Sequence, residues 1–144
     1  MSALDGFDQA IEASHRALDE IARGNPDAFF ELYSRKDDAT LANPYGPPAR
    51  GWTKIEQAGR RAASNYCDGR AIEFENFAKR VTAELGYILE IERFETKVAG
   101  SGEVTPVALR VTSVFRPEDG TWKLVHRHAD PITTSRPGES VTQT

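Results

Sequence analysis

The stretch Val104–Asp130, VTPVALRVTSVFRPEDGTWKLVHRHAD, decides how this chain folds. Val107, Leu109, Val111, Ser113 and Phe115 alternate with Ala108, Arg110, Thr112, Val114 and Arg116, which is the two-residue period of a β-strand. Pro117-Glu118-Asp119-Gly120 carries turn chemistry, because proline presets φ and glycine tolerates positive φ. Beyond it, Trp122, Leu124, His126 and His128 alternate with Lys123, Val125, Arg127 and Ala129. A hairpin symmetric about this turn sets Val111 opposite His126, Leu109 opposite His128 and Arg110 opposite Arg127. Both histidines then share the apolar face of Leu109, Val111 and Trp122, and the arginines share the other face. Two titratable rings on an apolar sheet face call for a functional explanation.

Working back from this hairpin, Tyr87–Val98 reads as a strand, with Tyr87, Leu89 and Ile91 opposed by Ile88, Glu90 and Glu92. The turn at Gly100-Ser101-Gly102 sets Glu92 opposite Arg110, and with Arg127 this predicts a solvated or interface charge ladder on the polar face. Ala71–Ala83 is a further long strand that alternates imperfectly, so a bulge is expected near Asn76–Ala78.

The N-terminal half has helical spacing. Leu4, Phe7, Ile11, Ser14, Leu18 and Ile21 mark one face of a helix of about 20 residues, with Asp5 and Asp8 near its positive end and Gly24 as its left-handed cap. Asn25 and Pro26 open a second helix, expected to run to about Arg35 and carrying Phe29, Phe30, Leu32 and Tyr33. Ala39–Asn43 is a short strand closed by Pro44, and Tyr45–Gly51 reads as loop. A third helix follows from about Thr53, with Thr53 and Glu56 as a capping box, to Tyr66; its apolar side is Trp52, Ile55, Ala62, Ala63 and Tyr66.

At 144 residues the chain suits one domain with one core. We place that domain at residues 1–131 and a flexible Thr-, Ser- and Pro-rich tail at 132–144. The formal net charge of -4 and pI near 5.4 argue against a nucleic-acid or anionic-membrane partner. A single cysteine, Cys67, cannot form an internal disulfide, and no secretory leader pattern is read at the start, so a cytoplasmic location is expected. No apolar run approaches the roughly 20 residues that span a bilayer. No cofactor motif is present.

Helices followed by long antiparallel strands make an α+β domain: a cone-shaped curved antiparallel sheet wrapped around three N-terminal helices. Such a sheet leaves a cavity at its open end, suited to a small ligand. The helices cover one face only. The other, with Ile88, Val114 and Val125 among charges, is expected to form a homodimer through the sheet.

This order of elements resembles the nuclear transport factor 2-like superfamily, in its SnoaL-like and ketosteroid-isomerase-like branch, a cystatin-like α+β fold. Phe30-Glu31-Leu32-Tyr33 through Asp37–Pro44, then Gly51 and the helix at Lys54-Ile55, carry part of the resemblance. Leu109–Thr112 and Asp119–His128 carry the rest, and are similar to the final hairpin of calcium/calmodulin-dependent kinase association domains. The resemblance implies a small-molecule pocket, and it also covers assembly domains without catalysis. Ketosteroid isomerases place an aspartate base where this chain has Asn43 and a tyrosine where it has Ala17. An amide takes up no proton at neutral pH, so that mechanism is not expected here.

The catalytic candidates are His126 and His128, because imidazole exchanges protons near pH 7. Asp130 shares their parity and is placed to orient a ring. The alternative is that the rings are hydrogen-bonded wall or core groups. His-x-His with Asp130 has metal spacing but lacks a third converging ligand, since His15 belongs to the first helix; no metal site is assigned. Asn43, Tyr45, Trp52 and Tyr33 complete the candidate ligand-binding set, against the alternatives that Trp52 plugs the third helix and Tyr33 is core. Two functions stay open. One is acid/base chemistry (isomerase, cyclase or dehydratase type) on an apolar or polyketide-like small molecule. The other is a non-catalytic homodimeric binding or assembly module.

Overall fold

The computed structural model describes residues 3–143, with side chains from residue 6 onward. The Leu4 and Asp5 side chains expected on the first helix, and Thr144 of the tail, lie outside the described residues. Helix α1 (Ala3–Ile21) ends where Gly24, at φ +89°, allows the Gly24 and Asn25 N–H groups to cap the Ile21 and Glu20 carbonyls. Helix α2 (Asp27–Leu32) is shorter than its composition suggests. Tyr33 is already extended, because it bridges to Leu124 and buries its ring. Strands β1 (Thr40–Ala42) and β2 (Ala49–Arg50) follow, so the stretch expected to be loop throughout contains a two-residue strand. Helix α3 (Trp52–Ala63) starts one residue before Thr53, on Gly51 at φ +84°, and no side chain caps it. Glu56 pairs with Arg60 instead of closing a capping box.

Four long strands complete the sheet: β3 (Tyr66–Val81), β4 (Gly86–Val98), β5 (Val104–Glu118) and β6 (Thr121–Asp130). The order across the curved, unclosed sheet is β2-β1-β6-β5-β4-β3. All neighbours are antiparallel except β1, which runs parallel to β6 and sets Thr40 beside His126. The expected irregularity at Asn76–Ala78 is present, and two more register shifts bend β3 nearer its start.

The helices fill the concave side. Phe7, Phe30, Tyr33, Ile55, Ile88, Phe115 and Leu124 form one cluster, and Leu18, Tyr66, Phe94, Leu109, Val111 and Ala129 a second. Ile88 is therefore core and not part of the outer face. Beyond Pro131 the described chain is exposed throughout, and its one regular element is a short 3-10 turn, Gly138–Val141. No helix among the described residues is long and apolar enough to cross a membrane.

Close backbone approach fixes how tightly α1 and β4 close on β3. A Cβ added at Gly69 would stand 2.5 Å from Thr96 Cβ and 2.6 Å from the Ala22 carbonyl oxygen. Gly69→Ala is therefore expected to cost on the order of 1–3 kcal/mol, the usual penalty of overpacking. Gly102→Ala, with open space around it, should stay within about 0.5 kcal/mol of the parent. Urea unfolding of the two variants checks the contrast.

Candidate functional site

The site begins with one extra residue in β6. From the turn, Glu118 pairs with Thr121 and Phe115 with Leu124. The next pair is Val114 with His126, so Val125 is a bulge without a partner on β5. Side chains alternate in a strand, so one extra residue inverts every face beyond it. Leu124 points inward; after the bulge Arg127 and Ala129 point inward, and His126, His128 and Asp130 point outward. The β4–β5 register also differs from expectation, with Glu92 opposite Leu109 and Arg110 opposite Ile91. Glu92 is thereby an interior residue, and Arg110 an exterior one.

Glu92 and Arg127 meet inside the curve. Arg127 donates from Nη1 to Glu92 Oε2 and from Nη2 to Glu92 Oε1, each at 2.7 Å. Their side chains are 5% and 11% exposed. This is a fork-to-fork pair in an apolar surrounding, with the guanidinium 5.9 Å from the Phe29 ring centre. Burial disfavours the Arg127 cation, but the Glu92 carboxylate outweighs it and holds the pKa above its ordinary value. Arg127 is thus a fixed cation and no proton donor at neutral pH.

Arg127 also lines a cavity at the open end. Its walls are mostly apolar, from Leu18, Ile21, Phe29, Leu41, Phe94 and Leu109, with Asn43, Tyr45 and Tyr66 as further polar groups. The cleft measures about 450 Å³ with the open space at its mouth included, and its interior is narrow. The Tyr45 and Tyr66 hydroxyls share a hydrogen bond of 2.7 Å. Burial first, then that hydrogen bond, pushes the Tyr66 phenol well above its usual range. Asn43 accepts from the Tyr45 N–H at 3.0 Å and donates to the Ala58 carbonyl at 3.1 Å, tying the rim loop to α3.

The other expected site residues are elsewhere. His126 and His128 stand on the outer face, a correction that follows directly from the bulge. His126 Nδ1 lies 2.8 Å from Thr40 Oγ1, and burial, aided by neighbouring His128, lowers its pKa. His128 is 54% exposed and 3.3 Å from Asp130, whose carboxylate is held by both Arg110 donors at 3.1 and 2.8 Å. Trp52 does not line the cavity; its ring stacks under the Arg35 guanidinium at 3.4 Å and meets Phe30 edge-on, fastening α3 to α2. Tyr33 is buried and donates to the Thr40 carbonyl at 2.6 Å.

Sequence reasoning passed over Arg127, Glu92 and Tyr66 as interior polar groups. It also set aside His15. The structure joins His15 Nε2 to the buried Glu90 carboxylate at 2.9 and 3.1 Å, with the ring stacked on Phe74. A signal existed for the carboxylates: Glu90 and Glu92 alternate with apolar residues in phase with Ile88 and Phe94, which are core.

A family model described as a SnoaL-like domain matches residues 8–133. The chain belongs to the SnoaL-like family. Among curated proteins none matches it. Among solved structures it is similar to a nuclear transport factor 2-like superfamily protein from Salmonella enterica serovar Typhimurium, at 17% identity over 91% of this chain and 92% of that one, TM-score 0.73. A candidate dehydratase of the NTF2-like family from Streptomyces avermitilis gives 19% identity over 90% and 96%, TM-score 0.72. A candidate calcium/calmodulin-dependent protein kinase type II association domain from Thiobacillus denitrificans gives 22% over 85% and 91%, TM-score 0.66. At these identities the SnoaL-like chain shares their fold, and the site must be argued from its own residues.

Removing one partner from a buried ion pair leaves the other uncompensated. Arg127→Met is expected to cost about 3–5 kcal/mol, and Arg127→Met combined with Glu92→Leu to regain most of it. Chemical denaturation of the three variants measures both. A double variant as unstable as the single one would show that shape, not charge, sets the cost.

Proposed function

We propose that this SnoaL-like domain binds a small, largely apolar molecule inside the curved sheet, with the molecule's polar end against Arg127, Tyr66 and Asn43. The observation that carries this reading is an apolar cavity with a few convergent polar groups, one of them a nearly buried guanidinium. The interior of the cleft is narrow, so the ligand is slender, or Tyr45 at the rim moves to admit it.

The same geometry favours binding over acid/base catalysis. A general base must reach the proton it removes. The polar groups on the wall are two hydrogen-bonded phenols, that of Tyr66 raised by burial, a guanidinium held as a cation and an amide. They donate hydrogen bonds, and none is a free base at neutral pH. The histidines first considered for proton transfer lie across the sheet.

A second reading, homodimeric assembly through the outer face, is favoured by the outward-facing Tyr87, Leu89 and Val114. The name of the Thiobacillus denitrificans neighbour, an association domain, agrees with it. The two readings are compatible, since they use opposite faces. The lone Cys67 is exposed, and a reducing cytoplasm is the compartment that keeps such a thiol unpaired.

A thermal-shift screen with small apolar compounds tests the cavity. A ligand at about 100 times its dissociation constant adds about 2.7 kcal/mol to the native state and raises its melting temperature. Ala62→Trp, on the α3 wall, is expected to block the cleft and abolish the shifts. Hits unchanged by Ala62→Trp would place binding outside this cavity, and no hits would count against the reading.

A further inference from the structure

We propose that the outer sheet face pairs with a second copy of this chain only while His126 and His128 are uncharged, so that acidification separates the two copies. This rests on the dimer reading above and adds to it a control that the interior site does not have.

A two-fold contact sets a patch against itself, so any net charge on the patch repels its own image. Along β4 and β5 the outward cations are already neutralised within the chain. Arg93 pairs with Glu75 at 3.0 Å and Arg110 with Asp130 at 2.8 Å. Arg116 pairs with Asp38 at 2.9 Å and with Glu118 at 2.7 Å. With these pairs in place, the central outer face is close to neutral and can accept its own copy.

The two histidines are the exception. Their rings are 6.5 Å apart on β6. The element packed beside them on one side, β1, offers Thr40 and Ala42, which carry no charge. Beyond it β2 brings Arg50, in register with Thr40, whose guanidinium donates to the Asp37 carbonyl. On the other side β5 brings Arg110 and Arg116, and on β6 itself stand Asp130 and Lys123, whose ammonium donates to the Glu31 carbonyl. The one carboxylate near His128 is already shared with Arg110. A proton on either ring therefore adds uncompensated positive charge, and a dimer doubles it.

The sign follows from linkage. Burial already holds His126 below the ordinary histidine range, about 6.5. A second copy laid over the rings buries them further and again favours the neutral form. Association therefore releases protons. It strengthens as pH rises through the window below about 6.5 and weakens as pH falls through it.

Sedimentation velocity of the full chain at about pH 8 and about pH 5.5, at equal ionic strength, tests this with wild type, His126→Gln/His128→Gln and His126→Arg/His128→Arg. Wild type is expected to be dimeric at the higher pH. Its dissociation constant should rise about tenfold or more at the lower pH, the weakening given by a tenfold fall in the proton affinity of one imidazole in each copy on association. The glutamine variant should lose this pH dependence, and the arginine variant should be monomeric at both. The arginine variant reports at the higher pH even if acid loosens the fold. A wild-type dimer equally tight at both pH values, or an arginine variant that dimerises normally, overturns the pH control and leaves the dimer. A wild-type monomer at the higher pH overturns the dimer reading and the control with it.

Discussion

A guanidinium inside an apolar curved sheet can stay there only with a carboxylate beside it, and the Glu92–Arg127 pair is that constraint here. Each ion taken from water alone costs several kcal/mol even after relaxation, so neither partner is tolerable without the other. Glu92 comes from β4 and Arg127 from β6, with β5 between them. The pair therefore pins three strands at once. A one-residue slip at either hairpin would carry one charge to the outer face and leave its partner stranded. Hydrophobic alternation alone would penalise such a slip more weakly. The residues around the pair follow from it: Phe29 covers the guanidinium, and Leu109 stands opposite Glu92 and lines the cavity.

The bulge at Val125 divides the chemistry of β6 between the two faces. Without it, Arg127 would face outward and the histidines inward. With it, a permanent cation faces the cavity and two titratable rings face outside. The parallel pairing of β1 with β6 reinforces the division. Thr40 holds His126 from outside, while the β1 exit delivers Asn43 and Tyr45 to the cavity rim. A second carboxylate pair, Glu90 with His15, repeats the arrangement along β4 and ties α1 to the sheet.

The α+β class, the order of helices and strands, and the strand ends to within a few residues can be read from hydrophobic period and turn residues. The faces near the site cannot. Asp119 and Gly120 both have positive φ, +53° and +82°, so they form the two central residues of a tight hairpin. An Asp-Gly pair between alternating strands is the signature of such a turn. Reading it in place of the four-residue turn from Pro117 corrects the register near the turn but moves it by two residues, which leaves the parity unchanged. The bulge changes parity, and nothing in Leu124-Val125-His126 announces it. It is set by tertiary packing, which buries both Leu124 and Ala129, five positions apart, where strict alternation would put them on opposite faces. Asn43 and Tyr45 were legible as rim residues because Pro44, Gly46, Pro47 and Pro48 interrupt regular structure just beyond β1. Arg127 was not, because a buried arginine looks like a surface one until its partner is found.

Asn43 shows why the cavity rim has no base. Its side chain accepts a hydrogen bond from the Tyr45 N–H and donates one to the Ala58 carbonyl, closing the turn and fastening the loop to α3. An ionised carboxylate accepts and cannot donate. At this position it would keep the turn but lose the link to α3, and would face the Ala58 carbonyl with like partial charge. The amide thus serves both rim contacts, where a carboxylate would serve one. The interior carboxylates are likewise engaged, Glu92 by Arg127 and Glu90 by His15. Both interior carboxylates of β4 are thus held in structural pairs, and the cavity wall is left with a guanidinium, two phenols and an amide.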